Sequence, residues 1–223
     1  MVKITWLGHA CFYIEGSTAT IITDPHDGVS LGLEPPKVKA DIILVSHSHY
    51  DHCDGVDLVR KPTSKIFEAG EYDTEVLGVK IFSSLTYHDK SYGEVRGENY
   101  IFWFSIDGIR FLHLGDLGHT LTKFRREYPR VDKLLNLGVD VLFVPVGGVY
   151  TINSKEALEV VEEVKPKIAI PMHYKIPGLQ LPLLPVSHFL KYFEKVKKID
   201  SNEIEITRET LPAETTIYIL SPP

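Results

Sequence analysis

Glutamine occurs once in this 223-residue chain, and cysteine, methionine and tryptophan only twice each. Two cysteines, Cys11 and Cys53, are too few for a disulfide framework. Cys11 reads as a small core residue; Cys53 lies beside His52 yet matches no ligand position. Scarce glutamine beside plentiful lysine and glutamate points to a thermophilic source. No apolar run approaches the roughly 20 residues that span a bilayer, and the first residues pass straight into a strand pattern, Val2–Trp6. A cytoplasmic protein with no membrane span is therefore expected. A basic surface is also missing: the net charge of −6 argues against a dedicated nucleic-acid binder. The cluster Lys123, Arg125, Arg126 and Arg130 reads as the solvated face of a helix. Linkers rich in Gly, Ser or Pro are absent too, so residues 1–223 are expected to form one domain.

What the chain does have is His47-Ser48-His49-Tyr50-Asp51-His52, four potential metal ligands in six residues. They directly follow Asp41-Ile42-Ile43-Leu44-Val45, a short β-branched run that reads as a buried strand. The imidazoles thus sit on a loop leaving a strand end, where open α/β sheets bind ligands. His47 and His49 can share one side of an extended loop while Asp51 and His52 turn at the next helix start. That geometry suits two metals close together.

Three further strand ends each deliver one ligand type. His88 follows Val79-Lys80-Ile81-Phe82; Asp116 follows Ile109–Leu114 and Gly115, a residue that permits close backbone approach; His173 follows Ile168-Ala169-Ile170-Pro171-Met172.

The order His-x-His-x-Asp-His, then His, then Gly-Asp, then His resembles the metallo-β-lactamase superfamily over nearly the whole chain. Gly8-His9-Ala10-Cys11, His113–His119 and Pro171-Met172-His173-Tyr174-Lys175 resemble a subgroup of short, single-domain metal-dependent hydrolases similar to ascorbate-6-phosphate lactonase. The resemblance implies one metal on His47, His49 and His88, a second on Asp51, His52 and His173, and Asp116 bridging them, with Asp24 steadying the histidine loop. It also implies the four-layer αββα sandwich of that family, an α/β (α+β) fold. A set of His and Asp without Cys suits zinc, with manganese and iron left open.

Two such cations lower the pKa of a bridging water, so hydrolysis of a small ester, lactone or phosphodiester is the expected reaction. Asp51 and Asp116 would orient the hydroxide and pass a proton to the leaving group. His119, three residues beyond Asp116 in a Gly-rich turn, reads as a general acid or a partner of the ligands. His113 reads as a core histidine, His9 as a supporting residue, and His26 and His188 as surface or loop residues. Arg96 either lies over the metals, binding a phosphate or carboxylate, or is a solvated hairpin residue. Lys175 and Tyr174 face the same choice, and Tyr150, Thr151 and Asn153 are candidates for a pocket wall. Two other classes stay open: a mononuclear iron dioxygenase acting on a sulfur compound, and a non-catalytic metal-binding module.

The element pattern agrees with two packed sheets. Strands are expected at 2–6, 11–15, 19–23, 41–45, 65–68, 79–83, 99–106, 109–114, 140–144 and 167–171. Asn153 or Ser154 caps a helix over Lys155–Lys165 that Pro166 ends, and Ser187 opens another through Lys198.

Overall fold

Val2, Ile4 and Trp6 alternate with half-buried Lys3 and Thr5, so β1 (Val2–Trp6) turns one face inward, and β2 (Phe12–Glu15) repeats the pattern. The computed structural model, which describes residues 1–122 and 128–223, joins them to β3 (Thr20–Thr23), β4 (Ala40–Leu44), β5 (Arg60–Phe67) and β13 (Glu203–Ile206). The resulting six-stranded sheet has the order β13-β1-β2-β3-β4-β5.

The second sheet opens with an antiparallel meander of β6 (Asp73–Val76), β7 (Val79–Tyr87), β8 (Glu98–Ile106) and β9 (Ile109–His113). It continues in parallel through β10 (Val141–Pro145), β11 (Ile168–Met172), β14 (Thr216–Leu220) and β12 (Val196–Ile199), giving eight strands in the order β12-β14-β11-β10-β9-β8-β7-β6. β10 and β11 are buried at every position, as central parallel strands covered on both faces must be. Between the sheets, Phe12 of the first stacks on Phe143 of the second with ring centroids 4.0 Å apart.

Helices cover the outer faces. Val59, Ile22, Ile43 and Cys11 form a small outer cluster where α1 (Tyr50–Cys53) and α2 (Val56–Val59) lie on the first sheet. α3 (Pro129–Asn136) and α4 (Ser154–Val164) bury Val131, Leu134, Ala157, Val160 and Val161 against the second. The layers are helix, sheet, sheet, helix, the αββα arrangement. Among the described residues no helix is long and apolar enough to cross a membrane.

Several expectations need correction. Asn153, not Ser154, caps α4: its Oδ1 accepts from the N–H groups of Lys155 and Glu156, while Glu156 Oε2 accepts from Asn153 N at 2.9 Å. That reciprocal box satisfies three backbone donors at the helix start. The helix from Ser187 stops at Leu190 as α5 (Ser187–Leu190), and Val196–Ile199 is instead the edge strand β12, because β14 offers it a parallel backbone partner. β5 and β7 run longer than expected, and β6, β13 and β14 were not expected. Lys123, Arg125 and Arg126 lie outside the described residues. Arg130 is tied down: Nη2 donates to the carbonyls of Tyr72 and Ser83, and the guanidinium lies 4.5 Å over the Phe82 ring. His26 lies in a loop, as one of its two readings had it, but it is fully buried rather than at the surface, facing the Leu7 carbonyl at 3.1 Å.

A candidate metal centre at the carboxyl ends of the strands

Six segments converge where strands of both sheets end. From the first sheet come His9 beyond β1, Asp24 after β3 and the stretch Ser46–His52 after β4; from the second come His88 after β7, Asp116 after β9 and His173 after β11. Crowding at that edge selects unusual backbone. His9, Asp24 and His173 all have positive φ (52°, 39° and 51°), an uncommon conformation for residues with a Cβ. Gly115 is required outright, since a Cβ there would lie 2.3 Å from Asn99 Oδ1 and 2.5 Å from Ser46 Cβ.

The supporting hydrogen bonds fix which nitrogens face inward. Asp24 Oδ1 accepts Ser46 N at 2.7 Å, and Oδ2 accepts the Ser46 hydroxyl at 2.8 Å. The hydroxyl has only one proton to give, so His47 Nδ1, 2.8 Å away, is assigned as a donor to Ser46 Oγ. His52 Nδ1 likewise donates to Asp24 Oδ2 at 2.8 Å. With Nδ1 committed in both rings, Nε2 is the nitrogen each turns inward, the one a metal would take.

Asp116 stands at the centre, 2 % exposed. Its oxygens lie 2.9 Å from His88 Nε2, 3.2 Å from His52 Nε2, 3.2 Å from His173 Nε2 and 4.0 Å from His47 Nε2. Yet His47 Nε2, His52 Nε2, His173 Nε2 and Asp116 Oδ1 are buried without a hydrogen-bond partner. Buried polar atoms are rarely orphaned, and lone pairs converging on a carboxylate are what cation binding uses. Three overlapping groups could each hold an ion, their ligand atoms all within 4.8 Å of one another: His47, His49 and His88; His47, His52 and Asp116; and His9, Asp51, His52 and His173.

The electrostatics point the same way. Burial and the neighbouring His52 push the His47 imidazole down to about 3, so that ring is neutral at pH 7. Burial acts to lower His52 as well, but Asp116, Asp51 and Asp24 outweigh it and raise the ring well above its ordinary value. A field that holds a proton on a buried imidazole also attracts a divalent cation. Burial raises Asp51, and this is outweighed by His52 and the hydrogen bond to His9, which hold its carboxyl below the usual range.

Other expected residues lie differently. His119 accepts Tyr87 N on Nε2 at 3.1 Å and faces the Thr120 carbonyl with Nδ1 at 2.9 Å, so both nitrogens meet backbone. Lys175 Nζ donates to the carbonyls of Leu179 and Leu181. Tyr174 is buried, its ring 5.3 Å from Trp6. His113 is a satisfied core histidine, with Nε2 2.9 Å from the Ala10 carbonyl. Cys53 meets none of the ligand groups.

Two residues support the cluster from outside the expected ligand set, His9 as the sequence suggested and Asn99 unannounced by it. His9 Nε2 lies 3.1 Å from Asp51 Oδ2 and its ring centroid is 4.2 Å from that of His173. Asn99 accepts Asp116 N at 2.8 Å and donates to the carbonyl of Leu114 and the hydroxyl of Thr86, clamping the Asp116 turn. The Gly8-His9 pair carried a signal for His9, a glycine beside a histidine just past a strand; a lone Asn in a strand carries none.

Over the cluster opens a cavity of about 360 Å³ lined by His49, Tyr50, Asp51, His88, Val95, Arg96, Asp116, Tyr150 and Leu181. A larger concavity of about 550 Å³ beside α3 holds no histidine, so size does not locate the chemistry here; the convergent donors do.

Two sheets with helices outside them and a His/Asp cluster at their strand ends define a metal-dependent hydrolase of the metallo-β-lactamase fold. The chain belongs to the beta-lactamase superfamily domain family, whose profile matches residues 3–173. It is 33% identical over 201 residues to a UPF0173 metal-dependent hydrolase of Archaeoglobus fulgidus, covering 78% of this chain and 83% of the relative. Among solved structures it is similar to a Thermotoga maritima protein described as a candidate Zn-dependent hydrolase of the metallo-beta-lactamase superfamily, at 39% identity and a TM-score of 0.77, with 99% and 98% of the two chains covered. Igni18, a metallo hydrolase of Ignicoccus hospitalis, shares the fold at 19% identity and a TM-score of 0.66, covering 99% and 94%.

Proposed function

We propose that the protein is a binuclear metal hydrolase of small ester, lactone or phosphodiester substrates. His47, His49 and His88 would hold one divalent cation, Asp51, His52 and His173 the other, and Asp116 would span both; zinc suits the donor set best. The observation that carries this reading is Asp116: one buried carboxylate faces the Nε2 atoms of His88, His52 and His173, of which those of His52 and His173 are left without a hydrogen-bond partner.

Bound there, two cations would supply the Lewis acidity that brings the pKa of water from 15.7 to near 7. The residues do the rest. Asp51 borders the cavity and has Oδ2 fixed by His9, so it is the group assigned to take the proton of the attacking water. As the water oxygen bonds to the carbonyl carbon or phosphorus, the bond to the leaving oxygen breaks and that oxygen receives the proton from Asp51. The Asp24–Ser46 clasp holds the His47 and His52 rings in place throughout.

The test is elemental mass spectrometry on protein purified without chelator, paired with turnover of bis(4-nitrophenyl) phosphate and a γ-lactone. About two equivalents of zinc or manganese are expected, with activity reduced at least 100-fold in His49→Ala. A single iron with no hydrolysis would overturn the proposal in favour of oxygen chemistry.

A further inference from the structure

Between His88 and Gly97 the chain forms a loop whose organising group is a buried aspartate. Asp89 is 6 % exposed, and its carboxylate accepts four backbone N–H groups: Ser91 at 2.7 Å and Gly93 at 3.0 Å on Oδ1, Val95 at 3.0 Å and Arg96 at 2.8 Å on Oδ2. His88 N donates to the Gly97 carbonyl and Gly97 N to that of Gly93, closing the loop at its base. Lys90 ion-pairs with Glu156 in the first turn of α4, which fastens the loop to the helix that follows Tyr150. Gly118 abuts the same base, where a Cβ would come within 2.2 Å of Asp89 N. These constraints carry Val95 and Arg96 to the wall of the metal-centre cavity.

The two residues so placed have little use there for stability. Val95 is 69 % exposed and Tyr50, across the same cavity, 45 %. The Arg96 guanidinium lies 5.7 Å over the Tyr150 ring and meets no carboxylate or other hydrogen-bond acceptor among the described residues. It is the one Lys or Arg among the residues lining the cavity, in a chain whose net charge is −6. A planar guanidinium spread on an aromatic face, with its donors free, is suited to a carboxylate or phosphoryl oxygen pair. Apolar and aromatic groups beside it, Val95, Leu181, Tyr50 and Tyr150, suit a hydrocarbon or aromatic body.

We infer that the Asp89–Gly97 loop is a substrate-recognition arm, and that the natural substrate is an amphiphilic organic anion whose carboxylate or phosphoryl group sits on Arg96 while its apolar part lies along Val95, Leu181 and the two tyrosines. The inference rests on the hydrolase reading of the same site. It makes Asp89 a positioning residue: the four N–H groups its carboxylate accepts gather the backbone from Ser91 to Arg96, and so set where Arg96 stands.

The test compares metal-loaded wild type, Arg96→Ala, Arg96→Lys and Asp89→Asn. Kinetics use a matched pair, 4-nitrophenyl hexanoate and the mono-4-nitrophenyl ester of adipic acid, which adds a carboxylate at the far end of the acyl chain. Binding by calorimetry uses phenylphosphonate and phenylacetate, which separate a phosphoryl from a carboxylate preference. Wild type should favour the charged ester by tenfold or more in kcat/KM. Arg96→Ala should erase that preference mainly through KM and weaken one of the two aryl anions about tenfold; Arg96→Lys should recover part of the loss. Asp89→Asn should do the same with its metal content unchanged. Equal kcat/KM for the two esters in wild type, or aryl-anion affinities in Arg96→Ala within twofold of wild type, would overturn the inference. Arg96-dependent anion binding without turnover of either ester would instead sink the hydrolase reading and leave the anion site standing.

Discussion

His9 shows how one residue can matter without touching substrate. It is fully buried, with Nε2 on Asp51 Oδ2 and its backbone carbonyl accepting from His173 N at 3.2 Å and Trp6 Nε1 at 3.1 Å. Burial, then the adjacent His173, push its ring down to about 3 despite the bond to Asp51, so it is a neutral donor at working pH. His9→Ala should therefore weaken binding of one of the two metal equivalents by 10- to 100-fold, measured by competition with a chromogenic chelator, while His9→Gln, which restores a donor at similar reach, should keep most of it. Two unchanged equivalents in His9→Ala would make the residue purely a packing group. At this scale the residues that converge on Asp116 were legible, because a loop with four potential ligands in six positions has few structural uses. Their supports were read only in part: His9 and Asp24 were, but Ser46 and Asn99 earn no notice until the fold brings residues 24, 46 and 52, or 99 and 116, within hydrogen-bond reach.

Among elements, β9 and β10 are stapled at their start by one ion pair. Arg110 donates from Nε and Nη2 to the two oxygens of Asp140, whose Oδ2 also takes the backbone N–H of Arg110 at 2.9 Å. Burial raises the Asp140 carboxyl, and Arg110 more than offsets this, leaving it below its ordinary value. A carboxylate depressed in the folded state contributes stability that is complete above its unfolded pKa near 3.9 and disappears as pH falls towards the folded value. Asp140→Asn should thus cost about 1–2 kcal/mol by guanidinium midpoint at pH 7, the low figure reflecting the solvent reaching Arg110, and progressively less below about pH 4. A gap that stays constant down to pH 3 would show that charge plays no part. Strands bordered by turn residues, such as β3, β4 and β9, could be read from period and composition alone. β6 escaped the sequence reading altogether, and after Ser187 the apolar spacing of Phe189, Leu190, Phe193 and Val196 also fits a helix, where only the neighbouring β14 decides for a strand at Val196–Ile199. A pattern that two periods satisfy is settled by the tertiary partner.

The whole molecule places its His/Asp cluster across the seam between two sheets, with candidate ligands following β4 on one side and β7, β9 and β11 on the other. Cations bound there would tie the sheets together, so metal and folding should be strongly linked. With free zinc at about 1,000 times Kd the added stability is about 4 kcal/mol, and for a chain of this length that corresponds to a rise of roughly 8–16 °C in Tm. Differential scanning calorimetry with and without EDTA checks this; a difference under 2 °C would mean that the sheets hold the loops without help. The family and its layered fold were readable at this scale because the ligand motifs keep their order along the chain. The strand pairing was not, since nothing local announces which distant segments meet.

The β1–β13 pairing sets Val2 opposite Ile206, and Trp6 N donates to the Asn202 carbonyl at 2.7 Å. At the usual 5–20 residues per second, a ribosome needs roughly 10–40 s to deliver the second half of that pair after the first. Through that interval the strand leading to His9 has an open edge, while the candidate ligands from His47 to His173 are made one after another. A cation held at this cluster would therefore meet its full set of candidate ligands only after His173 has been made, and until then the newborn chain would offer bare imidazoles to whichever metal the cell leaves free.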